Sequence, residues 1–140
     1  MDRFGDLFSH ISEQTNGKQN LIKFSTTDSG NAERVYVYAG QNFRYVTESG
    51  QWLLWDGQRW NPDSTGGMVR LFVSVMKLTG SQAFELEQLA AKAITKHALQ
   101  SMDANKVSAG LQMLKSILGV SISVNDLDAD PWMIGTSDGM

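Results

Sequence analysis

Three of the chain's four tryptophans fall within nine residues, Trp52-Leu53-Leu54-Trp55-Asp56-Gly57-Gln58-Arg59-Trp60, around an Asp-Gly pair. Asp-Gly between apolar runs signals a two-residue type I′ hairpin turn, because both central positions of that turn need positive φ. The constraint spreads outward from there. Phe43–Thr47 and Gln51–Trp55 alternate or run apolar with Ser49-Gly50 between them, and Gln58–Trp60 follows the turn. The pattern predicts a three-stranded antiparallel meander that Pro62-Asp63 ends. So small a sheet is not stable alone and needs a covering layer.

The remaining sequence supplies helices for that layer. Asp28 is an N-cap candidate for a helix through Tyr38, with Gly40 as its stop. Met68–Leu78 is apolar on nearly every face, which predicts deep burial, and Gly80 follows it. Ser81 is positioned to cap a helix to about Ser101, in which Leu86, Leu89, Ala90, Ala93, Ile94, Ala98 and Leu99 keep the spacing of one apolar face. Asp103 caps a further helix to about Leu118, with Val107, Leu111, Leu114 and Leu118 along it. Val120–Val124 alternates like a short strand. The expected class is α+β, mainly helical with the small antiparallel meander. Residues 1–23 stand apart as an N-terminal helix (Phe4, Leu7, Phe8 and Ile11 on one face) and a polar linker, ahead of a domain over 24–140.

Alternate side chains of a strand share a face, so Leu53 and Trp55 point one way while Trp52 and Leu54 point the other. One set is expected to pack on the Met68–Leu78 helix. The other either packs too or stacks on unpaired bases, at roughly 1–3 kcal/mol per aromatic–base contact.

A chain of 140 residues can bury a core of its own. It has no cysteine, which excludes a disulfide scaffold and any cysteine-ligated zinc. No apolar run approaches the ~18 residues of a membrane span, and the acidic start with Asp2 and Asp6 is unlike a signal peptide. The net charge of −3 is unevenly placed. Residues 64–118 hold six Lys/Arg against three Asp/Glu, whereas 119–140 hold four acids and no base. Lys92 and Lys96 lie four apart on one helix face, and Arg70 and Lys77 stand seven apart. With Lys106 they are the candidate nucleic-acid contacts, through phosphates and without base reading; the alternative is a solvated face.

Catalytic signatures fail their spacing tests. No Gly-x-x-x-x-Gly-Lys-Ser/Thr loop is present to cradle a nucleotide, and Gly66-Gly67 lacks the lysine. His10 and His97 are far apart, without a partner carboxylate or histidine at i+4. Asp126, Asp128 and Asp130 open like a calcium loop, yet Pro131 takes the place of the required glycine and no glutamate closes the loop. No catalytic residue, metal site or cofactor is expected. Asp130, Pro131 and Trp132 are instead structural candidates, as are Trp52, Trp55 and Trp60.

Several fragments together resemble a known family. Gly30-Asn31-Ala32-Glu33-Arg34, Phe43-Arg44-Tyr45-Val46, Trp52-Leu53-Leu54-Trp55-Asp56-Gly57 with Trp60, Lys96-His97-Ala98-Leu99, and Leu127-Asp128-Ala129-Asp130-Pro131-Trp132 stand in the order and spacing of one domain's landmarks. That domain is the one N-terminal to the superfamily 3 helicase in phage, plasmid and poxvirus primase-helicases. The resemblance covers roughly Phe24 to Met140, and it implies that Asp126 caps a short turn there. It implies a non-catalytic module that supports ring assembly and guides DNA. Its implied partners are the helicase ATPase domain of the same protein, neighbouring ring subunits and single-stranded DNA without sequence preference, in the cytoplasm of a bacterial host. It also implies a segment cut just before a helicase would begin. A standalone phage-derived protein acting on a replication helicase or other host partner, and a metal-dependent nuclease or primase fragment, are the alternatives.

Overall fold

The structure, a computed structural model, describes residues 20–129, with side chains described up to Asp126. The expected N-terminal helix and the structural candidates Asp130, Pro131 and Trp132 lie outside the described residues.

Helix α1 (Asp28–Ala39) starts one residue earlier than Asp28 capping would give: the Thr27 hydroxyl accepts the Gly30 amide. Gly40 opens a 3-10 turn, Gly40–Asn42, that delivers the chain to β1 (Phe43–Val46). Strands β2 (Gln51–Trp55) and β3 (Trp60–Pro62) follow in antiparallel register, with Phe43 opposite Leu54 and Trp55 opposite Trp60. The turn between them differs from the expected Asp-Gly pair. Asp56 donates its amide to the Arg59 carbonyl, and its carboxylate accepts the amides of Gln58 and Arg59. The central pair is therefore Gly57-Gln58, with glycine first at φ +101°, the order type II′ turns use.

Helix α2 (Gly67–Gln82) is the longest described element. Asp63 starts it, accepting the amides of Gly67 (2.7 Å) and Met68 (2.9 Å) in its two carboxylate oxygens. Gly80 does not end it: its φ is not positive, the helix runs on to Gln82, and a Cβ there would make only ordinary contact with Ala98 of α3 at 3.6 Å. A 3-10 turn, Ala83–Glu85, and an extended Leu86 (φ −93°, ψ 164°) then break the expected Ser81–Ser101 helix, leaving α3 as Gln88–Gln100. Helix α4 (Ala104–Leu114) is capped by Asp103 as expected and ends short of Leu118.

The meander expectation is corrected by a fourth strand. β4 (Ser121–Ile122) runs parallel to β1, giving a mixed sheet in the order β3-β2-β1-β4. An edge at β1 would leave its amides unpaired; instead Tyr45 and Thr47 donate to the carbonyls of Val120 and Ile122. Helix α5 (Val124–Ala129) replaces the expected short turn, and Asp126 does cap it, accepting the Ser123 amide while the Ser123 hydroxyl accepts that of Asn125. Glu48, from the β1–β2 hairpin, accepts the Val124 amide as well, which holds its carboxyl below the usual range.

The core lies between the helices and one face of the sheet. Ala32, Val35 and Ala39 of α1, Leu71, Phe72, Val75 and Met76 of α2, and Val107 and Leu114 of α4 close over Phe43. Tyr45, Trp52 and Leu54 pack on the same side. Trp52 sits edge-on to both Phe43 and Tyr45, at 5.8 and 5.1 Å between ring centres. Thus Trp52 is the core tryptophan of the hairpin, and Trp55 points away.

Candidate functional site

The most connected polar cluster is structural. Arg34 is fully buried on α1. Its Nε donates to the Leu21 carbonyl, Nη2 to that of Phe24, and Nη1 to Asn31 Oδ1 at 2.9 Å. Asn31 Nδ2 donates to Ser101 Oγ at 3.0 Å, and His97 Nε2 lies 2.9 Å from Asn31 Oδ1. Arginine can only donate, so it orients the Asn31 oxygen toward itself, and His97 must then carry its proton on Nε2 to meet the same oxygen. The network ties the start of the described chain to α1, α3 and the α3–α4 turn. Burial pulls the Arg34 pKa below its ordinary value, with Glu33 opposing. His97 is also lowered, by burial first and then by the Arg34 charge, with Asp28 opposing and Lys106 adding to the drop. Two of the sequence landmarks, Gly30–Arg34 and Lys96–Leu99, thus meet in one buried lock.

Exposed features are concentrated on α3. That helix fully buries only Ala98 along its length. Leu89 and Leu99, expected on its buried face, are 81% and 69% exposed, and Phe84 just before it is 82% exposed. The stripe turned toward the rest of the domain is Ala90, Ile94 and Ala98; Leu89, Lys92, Lys96 and Leu99 lie on the opposite, exposed face. The candidates Lys92 and Lys96 line an open, mainly apolar groove with Phe84, Leu89 and Leu99.

The other predicted contacts are dispersed. Lys106 is exposed at the start of α4, and Lys77 is exposed on α2. Arg70, also on α2, donates to the carbonyl and hydroxyl of Thr65, bracing the loop before its own helix. The structure therefore brings Lys92 and Lys96 together and leaves Arg70 and Lys77 on a different helix.

A second surface lies on the sheet face turned from the helices. Trp55 and Trp60 pair across the strands at 5.4 Å between ring centres, tilted by 54°. The Arg44 guanidinium stands 5.4 Å from the Trp60 ring centre, and its Nη1 donates to the carbonyls of Gly40 and Phe43. Burial lowers the Arg44 pKa, with Tyr36 opposing. Arg44 belonged to a sequence landmark, but nothing in the one-dimensional pattern placed it over a tryptophan two strands away. Among the described residues, no group of three His, Cys, Asp or Glu side chains is placed to hold a metal. No described helix is long and apolar enough to cross a membrane.

The family model described as D5 N terminal like matches residues 32–140. The chain belongs to that family. The D5 N-terminal-like domain is the one that precedes the helicase in primase-helicases, so the chain is an N-terminal module of a primase-helicase-like protein. No curated protein and no solved structure matches it. The match takes in all but the first two residues of the Gly30–Arg34 motif, together with the α3 groove and the tryptophan face.

Proposed function

We propose that this D5 N-terminal-like module is non-catalytic and acts by binding, helping neighbouring subunits of a phage or prophage replication helicase to assemble and guiding DNA toward the ring. The observation that carries this is α3, which presents Phe84, Leu89 and Leu99 to solvent while contributing almost nothing to the core. Contiguous exposed apolar side chains of this size mark protein–protein contact sites. Lys92 and Lys96 on the same face add positive charge where a neighbouring subunit and DNA would both approach.

The test is the mass of the chain in solution by light scattering across a wide concentration range. Assembly through α3 predicts a mass that rises with concentration, and a Leu89→Asp/Leu99→Asp variant that stays monomeric with an unchanged melting temperature. A parent chain that is monomeric throughout, or a variant that still associates, would overturn the assembly role.

A further inference from the structure

The α3 surface, where Leu89 and Leu99 stand beside Phe84, is apolar and suits a protein, whereas the outer sheet face has a different chemistry. Strand register puts Arg44 and Leu53 in one row and Trp55 and Trp60 in the next, all half-buried and all opposite to the core side. No Asp or Glu occupies an outward position on β1, β2 or β3. One row is thus the Trp55–Trp60 pair, and the next is Leu53 and Pro62 with the Arg44 guanidinium at one side. Arg44 holds itself by Nη1 alone; Nε and Nη2 have no acceptor among the described residues. The series Arg44–Trp60–Trp55 sets a phosphate-binding group beside two stacking planes.

We propose that Trp55 and Trp60, with Arg44, form a stacking platform for the unpaired bases of single-stranded DNA. It deepens the DNA-guiding part of the function above and rests on it for the presence of a strand, but it is independent of assembly through α3. Every base has a π-face, so such a platform binds without sequence preference. A duplex offers its stacked bases no comparable approach, which makes the single strand the occupant. Arg44 would meet the backbone phosphate, and the outer face of Trp55, which is not beneath the guanidinium, would take the base.

The experiment is a fluorescence titration of the full chain at low salt with oligo(dT) and with an abasic strand of equal length, which carries the same phosphates and no bases. The expected result is a saturable tryptophan quench by oligo(dT) and affinity for the abasic strand lower by a factor of roughly 5–150 per stacked base. Trp55→Leu should weaken oligo(dT) binding by a similar factor, and Trp55→Phe should recover part of it. Equal affinity for the two strands overturns the platform, and that comparison needs no variant to fold. So does a Trp55→Leu chain with native circular dichroism and undiminished oligo(dT) affinity. If oligo(dT) and abasic strands bind equally and Lys92→Glu/Lys96→Glu weakens both, the guiding role stands while the platform falls. Binding of neither strand removes both.

Discussion

Asn31 shows how a single amide can decide the protonation of its surroundings. Its oxygen receives Arg34 and His97, and its nitrogen serves Ser101, so each neighbour has one permitted role. A second proton on His97 would put a charge into a half-buried site already occupied by the Arg34 cation. The folded pKa of His97 is therefore below its unfolded value of about 6.5. Above that pH both states are neutral and His97 adds no pH dependence. As pH falls below about 6.5 the unfolded chain takes up the proton first, so stability declines until the folded pKa is passed and then levels off. Melting temperatures from pH 8 to 5 should fall more steeply in the parent than in His97→Gln, which cannot titrate; parallel slopes would remove His97 as the cause. Little of this was legible in the sequence. The sequence offered His97 no local partner; the one it has lies 66 residues away, and no spacing rule reports such a contact.

Elements were read better in kind than in extent, because their ends depend on contacts the pattern does not contain. The alternation of β1 and β2 and the Asp103 cap hold as read. Gly80 misled because glycine stops helices when it takes positive φ, whereas here it keeps a helical φ and the chain runs on to Gln82. The seven apolar residues of α3 cover more than one face, and only packing decides which arc is buried. Asp63 went unrecognised as a cap, since a left-handed Gly66 stands between it and the helix whose amides it accepts. Asp63→Ala should cost roughly 1–2 kcal/mol, the upper part of the range for losing a capping side chain. Asp63→Asn should cost less, retaining one acceptor. A denaturant midpoint unmoved by Asp63→Ala would show that water replaces the carboxylate without penalty.

At the scale of the whole molecule, the basic central block proves to be spread over several helices rather than gathered in one patch. Lys92 and Lys96 line one groove, so the guiding charge there should be modest. Replacing both with glutamate should weaken single-strand binding and, if each meets one phosphate, flatten the plot of log affinity against log salt by about 1.4. A slope identical to the parent's would assign these lysines to solvent. The α+β class and family landmarks were legible because they depend on residue type and order. The exposed α3 face and the half-buried tryptophan face were not, because Leu89, Leu99 and Trp55 are the residue types a core would use, and which side faces the core is a property of the assembled fold.

The Arg34 lock also determines how the domain carries a mechanical load. A pull on the chain at residue 20 reaches Leu21 first, whose carbonyl is gripped by Arg34 and whose amide is gripped by Gln82. Phe24 is held by the same guanidinium three residues later. The strain therefore enters α1 and the far end of α2, the two helices that form the heart of the core, and bypasses the short hydrogen-bonded strands. Through Asn31 and His97 part of the load also reaches α3, whereas the tryptophan face has, among the described residues, no bond to the lock and sits off this path.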